Sequence, residues 1–481
     1  MSHKQFQRTI PLAGYVCALA AMLAFLTVSC ATTDGTKPNI VLIFIDDLGY
    51  GDIGPFGSTT NKTPQLDRMA AEGLALRQFY VSNTNCTPSR AALMTGTYAH
   101  RIGMDGDVLF PGERRGLNPN ETTIAEVMKG AGYATGIFGK WHLGDQPEHL
   151  PLEHGFDKYF GIPYSNDMWP GNLKGHRHTK EPYTPLPVVR NDQVVAYVAD
   201  GADQSLLAEA VTDAAIEFIR EHRAEPFFLY LPHAYIHRPR YVRPEIAERA
   251  GGDINRAVVE EVDDSVGRVL DTLRALDLAE GTLVIFTSDN GGSTGMSMGP
   301  LRGGKGGPKY EGHMREPTLT WWPGTIPAGQ TTDEIVSALD ILPSLAALVG
   351  AARPDRQIDG KNALDILLGN PNARSPHELL FYEDEGIRRG NWKLVRGASG
   401  GFELYDLDAD VGETNDLAAA HPERVGELRA LLEDHAAEIA ANQRPAAQSE
   451  TALHLITEPG DLPKLRELIG VSDFEAVAER R

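Results

Sequence analysis

The chain has too few cysteines for a disulfide framework, three in 481 residues. Cys17 and Cys30 fall at the N-terminal end, so the remainder keeps Cys86 alone and an internal disulfide is excluded there. Positive charge is also scarce: 45 Lys and Arg stand against 66 Asp and Glu, a net charge of −21. That balance argues against nucleic acid or an anionic membrane as partner. It also makes any local cluster of Arg, Lys and His informative. The one long apolar run, from about Pro11 to Val28, is short for a membrane span and is interrupted by Pro11 and Gly14. Lys4 and Arg8 precede it and Ser29-Cys30-Ala31 follow, which is the layout of an export leader over residues 1–31. Two ends stay open for that leader: lipid attachment at Cys30, against which Thr27 three residues earlier counts, and cleavage after Ala31 without lipid. Either places the protein in the periplasm of a bacterium or on its membrane as a lipoprotein.

What is present is a repeated strand grammar. Asn39 to Ile45 is continuously apolar and β-branched, the pattern of a strand buried on both faces, and it stops at Asp46-Asp47. Thr282 to Thr287 runs into Ser288-Asp289-Asn290, Phe227 to Leu231 leads to His233 and His237, and Ala134 to Phe138 leads to Lys140 and His142. In open α/β sheets ligands bind at the carboxyl ends of such strands, so four of them delivering polar groups point to one site. Helices are expected from Pro64 to about Glu72, Glu260 to Leu276 and Asp340 to about Gly350. The alternation predicts an α/β domain over 38–350 with a mostly parallel sheet between helices. Beyond a linker, residues 360–441 read as a smaller antiparallel sheet plus a helix from Pro422 to about Ala440. The tail 442–481 is polar, with two weak helical stretches and no assignable role.

Asp46, Asp47, Asp289 and Asn290 offer oxygen from two strand ends. Acidic pairs converging there repel unless a cation joins them, and oxygen donors suit Ca²⁺ or Mg²⁺ rather than zinc, with Ca²⁺ preferred. Arg90, Lys140, His142, His237 and Lys305 form a positive set in an acidic chain, suited to a compact anion such as sulfate or phosphate. His237 is preferred over His233. Lys305 lies in the glycine loop Gly303-Gly304-Lys305-Gly306-Gly307, and Lys309 competes with it.

Cys86-Thr87-Pro88-Ser89-Arg90 runs into Ala91-Ala92-Leu93-Met94-Thr95-Gly96. Thr87 as N-cap and Pro88 at the first helical position put Cys86 just before a short helix, aimed at its positive end. This pattern resembles the signature of the formylglycine-dependent (type I) sulfatases of the alkaline phosphatase superfamily. Gly139-Lys140-Trp141-His142-Leu143-Gly144, Gly161 to Asp167 and Tyr310 to Pro317 extend the resemblance, most closely to the arylsulfatase A and N-acetylgalactosamine-6-sulfatase branch.

The resemblance implies an alkaline-phosphatase-like fold and a sulfuric ester hydrolase. It implies that Cys86 is oxidised to formylglycine by a maturating enzyme, and that Asp46, Asp47, Asp289 and Asn290 bind Ca²⁺ together with the modified Cys86. Arg90, Lys140, His142, Ser165, His237 and Lys305 then contact the aldehyde hydrate or the sulfate. One hydroxyl of the hydrate attacks sulfur, His237 or Lys305 protonates the leaving oxygen, and His142 deprotonates the second hydroxyl to expel sulfate. Two other readings are a phosphate or phosphonate monoester hydrolase on the same scaffold and a non-catalytic lipoprotein that binds sulfated glycans. The stretch from Asn166 to Asp203 carries Trp169, His176, Arg177, His178, Tyr183 and Tyr197 with little periodicity. It reads as a binding loop for a sulfated sugar.

Overall fold

Strand β1 (Asn39–Ile45) shows how the sequence builds the sheet. Its six residues from Ile40 to Ile45 are wholly buried. Val41, Ile43 and Ile45 join the core on one face of the sheet, while Ile40, Leu42 and Phe44 join the core on the other. Each such side chain contributes about 1.5–3 kcal/mol when buried. A strand covered on both sides therefore needs no polar alternation. The computed structural model describes residues 37–479 together with Met1, so the leader and Cys30 lie outside the described residues.

The remaining strands of the main sheet are β2 (Leu74–Tyr80), β3 (Ala134–Lys140), β4 (Lys158–Ile162), β5 (Leu186–Arg190), β6 (Gln193–Val198), β7 (Phe227–His233), β8 (Thr282–Ser288), β9 (Arg315–Trp321) and β10 (Gln330–Thr332), with a two-residue strand, Val336–Ser337, paired to the end of β2. Their order is β10-β2-β9-β8-β1-β7-β3-β4-β5-β6. The central run β8-β1-β7-β3-β4 is parallel throughout. Antiparallel pairs flank it on both sides. The carboxyl ends of β8, β1, β7 and β3 are therefore neighbours along one sheet edge.

One face packs α1 (Pro64–Glu72), α4 (Leu207–Glu221) and α5 (Ile254–Ala275), and the other packs α2 (Cys86–Thr95), α3 (Ile124–Gly130) and α6 (Ile341–Val349). No helix among the described residues is long and apolar enough to cross a membrane. A second, antiparallel sheet follows: β11 (Leu379–Tyr382), β12 (Gly386–Arg389), β13 (Trp392–Arg396) and β14 (Phe402–Asp406). Helix α7 (Pro422–Ala441) covers it, setting Leu428 and Leu432 against Ile387, Leu394 and Leu404. Buried Lys393 of β13 lies 2.9 Å from both Glu311 and Glu413, which ties this sheet to the larger one.

Several boundaries differ from the sequence reading. Helix α2 begins at Cys86 with Asn85 as N-cap, because the Thr87 hydroxyl is engaged elsewhere, donating to the His142 carbonyl at 3.0 Å. Helix α5 begins six residues before Glu260. Its polar first turn is held by Asp253, which accepts from the backbone N–H of Asn255 and Arg256. Within the smaller sheet, β12 turns into β13 at Gly390, whose φ of 60° makes the turn. The stretch 166–203, expected to lack regular structure, contains the hairpin β5–β6 and a short helix at Gly201–Ser205.

Within α5, Glu261 is buried with both carboxylate oxygens unpartnered. Burial, with Glu209 adding to it, pushes its pKa up to about 8. A carboxyl raised in the folded state binds its proton more tightly there than in the unfolded chain. Its contribution to stability is therefore full at low pH and is lost as pH rises through about 8. Glu261→Gln is expected to match the parent near pH 4.5 and to melt progressively higher than it up to pH 9, as read by calorimetry. A constant difference in Tm across that range contradicts the assignment.

Candidate active site

The site begins where β1 and β8 end. The ladder continues one step past the strands, with the Asp289 N–H donating to the Ile45 carbonyl at 2.9 Å. Asp47 then takes a left-handed conformation, φ 67°, and its N–H donates to Asp289 Oδ1 at 3.2 Å. Asp46, Asp47, Asp289 and Asn290 all end fully buried at one point of the sheet edge. The Cys86 thiol, on the first turn of α2, reaches the same point and lies 3.3 Å from Asp46 Oδ1. One donor atom each from Asp46, Asp47, Cys86 and His237 falls within 4.8 Å of the others.

Cations surround this group. Arg90 donates to Asp289 Oδ2 through Nε at 3.1 Å and Nη2 at 2.8 Å, and Nη2 stands 3.4 Å from Asp46. Lys140, at the end of β3, pairs with Asp46 and reaches Ser165 Oγ at 3.2 Å. Lys305 Nζ lies 2.7 Å from Asp47 Oδ1 and 3.3 Å from Cys86 Sγ. His237 directs Nε2 toward Asp47 at 3.8 Å, and its Nδ1 meets Asn166 Oδ1 at 3.2 Å and Ser165 Oγ at 3.4 Å. His142 also has a left-handed backbone, φ 63°. Its Nε2 faces the Leu109 carbonyl at 3.0 Å, and its buried Nδ1 has no partner.

The charges shape one another. Burial alone would raise Asp46, but Lys140, His237 and Arg90 outweigh it and hold that carboxyl well below the usual range. Burial and the adjacent Asp46 push Asp289 up to about 7 against the pull of Arg90. Burial, then Asp46, push the Cys86 thiol up to about 12, so unmodified Cys86 is a neutral thiol rather than a nucleophilic thiolate. His142 is held well below its ordinary value by burial and by Lys140 and Arg90, which leaves it neutral. Burial would lower Lys305, but Asp47 keeps it protonated. Asp47 Oδ2 and Asn290 Oδ1 are buried with no hydrogen-bond partner. Two orphaned oxygens beside two further carboxylates fit a hard divalent cation.

The structure thus gathers Asp46, Asp47, Cys86, Arg90, Lys140, His142, Ser165, His237, Asp289, Asn290 and Lys305 at one edge. It separates the two competitors. His233 is turned inward to Ser265 Oγ at 2.9 Å, and Lys309 pairs with Glu383 at 2.9 Å. Sequence reasoning passed over Asn166, which holds His237, and the Leu109 carbonyl, which holds His142. It also passed over Glu316, whose wholly buried carboxyl has no partner and is kept well above its usual pKa by burial and by Asp289. Only Asn166 carried a signal, its adjacency to Ser165. Trp169 does not present its face as a sugar platform: it is 5% exposed, joins the core on one face of the sheet and packs edge-on against Tyr241.

This geometry has known counterparts. The sulfatase family model matches residues 38–351, and the C-terminal model of N-sulphoglucosamine sulphohydrolase matches residues 308–441. Arylsulfatase A of Homo sapiens is 38% identical, over 89% of this chain and 94% of its own length. N-acetylgalactosamine-6-sulfatase of Homo sapiens is 39% identical, over 72% of this chain and 68% of its own length. The crystal structure of Ps i-CgsB in complex with a neocarrahexaose superposes with a TM-score of 0.74 at 30% identity, covering 86% of this chain and 96% of that one. The chain belongs to the sulfatase family, as a type I sulfatase of the alkaline phosphatase superfamily, and is a sulfuric ester hydrolase. Its relatives include both arylsulfatase A and N-acetylgalactosamine-6-sulfatase.

The two glycine-loop lysines are expected to behave differently. Lys305→Ala should lower kcat on an aryl sulfate by about 100-fold, the scale of one lost electrostatic contact. Lys309→Ala should keep kcat within about twofold while lowering stability by on the order of 3 kcal/mol, because it strands buried Glu383. Steady-state kinetics and denaturant titration of both variants check this.

Proposed function

We propose that the protein is an exported carbohydrate sulfatase that works through a formylglycine at position 86 and a bound divalent cation, Ca²⁺ ahead of Mg²⁺. The observation that carries this reading is the placement of Cys86. A neutral buried thiol sits on the first turn of α2, 3.3 Å from both Asp46 and Lys305, inside a ring of fixed cations. A group there meets the helix dipole, the oxygen cluster and the anion-binding side chains at once. As a thiol it is poorly suited to attack. As an aldehyde hydrate it offers two hydroxyls on one carbon, so the group can both take the sulfuryl unit and let it go. A maturating enzyme is the partner this requires.

Asp46, Asp47, Asp289 and Asn290 would hold the cation, which when bound polarises a sulfate oxygen and favours the ionised hydroxyl. Arg90 and Lys140 are each fully buried against a carboxylate, Asp289 and Asp46. With Lys305 they offset the negative charge that grows on the transferring group. Ser165 Oγ, held by Lys140 and His237, is placed to orient a sulfate oxygen. Lys305 carries a proton for the leaving oxygen, with His237 beside it, and the neutral His142 takes the proton that releases sulfate.

The carbohydrate part rests on the segment after Ser165 and on the sugar complex of a structural relative. Arg177 and His178 are mostly exposed and gather around Phe110, next to the Leu109 carbonyl that holds His142. Asp107 balances them at 2.7 and 3.1 Å. Export rests on the leader pattern of residues 1–31.

Protein made together with a maturating enzyme is expected to show a residue-86 peptide that has lost its sulfur and reacts with a hydrazine. It should hydrolyse an aryl sulfate far faster than the matched aryl phosphate, and at least one member of a panel of sulfated saccharides. Cys86→Ala should remove turnover, and paired Arg177→Ala and His178→Ala should cost sugar hydrolysis more than aryl hydrolysis. An intact thiol in fully active protein, or a preference for the phosphate, contradicts the reading.

A further inference from the structure

The tail 442–479 lies beyond the residues that either family model matches. It nonetheless runs along the loops that leave the sheet edge. Ala447–Gln448 pairs with Arg115–Gly116, and Leu453 exchanges hydrogen bonds with Gln146, a few residues after His142. Arg466 reaches Asp200 and Asp203, and Val477–Ala478 pairs with Tyr241–Val242, just past His237. The last of these contacts brings Glu479 to Arg238 at 2.9 Å and to Arg240 at 3.3 Å.

Arg240 is the informative member. Its side chain is fully buried and holds two strand-end loops together. Nε donates to the Ile236 carbonyl at 3.0 Å, in the loop that carries His237. Nη2 donates to Ser293 Oγ at 2.9 Å and Nη1 to the Thr294 carbonyl at 3.0 Å, in the loop that follows Asn290. Nη1 also reaches Asn255 Oδ1 at 2.7 Å, at the start of α5. A buried guanidinium needs a counter-charge. Among the described residues its ion-pairing carboxylate is that of Glu479, 239 residues away in sequence.

We infer that Glu479 and Arg240 form a latch by which the tail positions His237 against the Asn290 loop. Glu479 is a positioning residue that touches no substrate. It fixes Arg240, Arg240 fixes the Ile236 carbonyl and the 293–294 backbone, and the His237 ring follows. The inference rests on the proposed role of His237 in sulfate ester hydrolysis.

The test is a double-mutant cycle on the matured enzyme, with an aryl sulfate as substrate. Glu479→Gln, which removes the charge at the end of the latch, is expected to lower kcat about tenfold with KM changed less than threefold. Glu479→Asp should recover part of that loss. His237→Ala is expected to lower kcat by 100-fold or more, and adding Glu479→Gln to it should cost less than twofold further, because contacts that act as one unit are not additive. Arg238→Gln breaks only the more exposed half of the contact and should keep kcat within about twofold. Arg240→Lys keeps the charge but loses the fork that spans both loops, so it should reproduce the Glu479→Gln loss. Unchanged kcat in Glu479→Gln, or a full tenfold loss retained in the His237→Ala background, overturns the latch. If His237→Ala itself keeps full kcat, the role of His237 fails first and the latch falls with it.

Discussion

Three fully buried carboxylates meet at one sheet edge, and their mutual repulsion is the constraint the site is built to answer. Two like charges about 4 Å apart at an effective dielectric constant near 20 repel by about 4 kcal/mol. Asp46, Asp47 and Asp289 cannot move apart, because the parallel pairing of β1 with β8 fixes their backbones and both faces of those strands are buried. Charge must therefore be brought to them. Arg90 answers Asp289, Lys140 answers Asp46, and Lys305 answers Asp47, each from a different segment. The orphaned oxygens of Asp47 and Asn290 mark what those three cations leave unanswered.

The same arrangement makes the site useful. In the proposed mechanism, cations already held against buried carboxylates oppose negative charge on a sulfuryl group without reorganising. Burial, together with Lys140 and Arg90, also keeps the neighbouring His142 neutral. The fold's contribution is to bring separate stretches of chain to one edge. The smaller sheet and α7 lie outside this chemistry but brace it, through Lys393 on Glu311 and through Arg101, which pairs Asp359 with Glu438 of α7 at 2.6 and 2.7 Å.

How much of this the sequence revealed follows from the range of the interactions. Strands buried on both faces announce themselves by composition, so β1, β7 and β8 and the acids or histidines at their ends were readable one segment at a time. Cys86 and Arg90 were readable because a short helix and its stop at Gly96 are local. What failed was nonlocal. The N-cap of α2 moved from Thr87 to Asn85, with Thr87 bonding a carbonyl in a distant loop, and Trp169, read as part of a binding loop, is buried against Tyr241. The competition between Lys305 and Lys309 depended on where Glu383 falls, and Arg240 and Glu479 look like ordinary surface charges until the tail is seen to return along the sheet edge.

The claim on which the rest stands is that Asp46, Asp47, Asp289 and Asn290 hold a divalent cation, which supplies the partner that the orphaned Asp47 and Asn290 oxygens lack. The most direct measurement is the melting temperature of exhaustively chelated protein, shown to be metal-free by elemental analysis, as Ca²⁺ is titrated back. A ligand that binds only the folded state raises stability by RT ln(1 + [L]/Kd), so Tm should climb and keep climbing with the logarithm of Ca²⁺ above its Kd. Mg²⁺ should do the same more weakly, and Asn290→Ala should shift the rise to higher Ca²⁺. A metal-free protein whose Tm is the same with and without either ion would contradict the account.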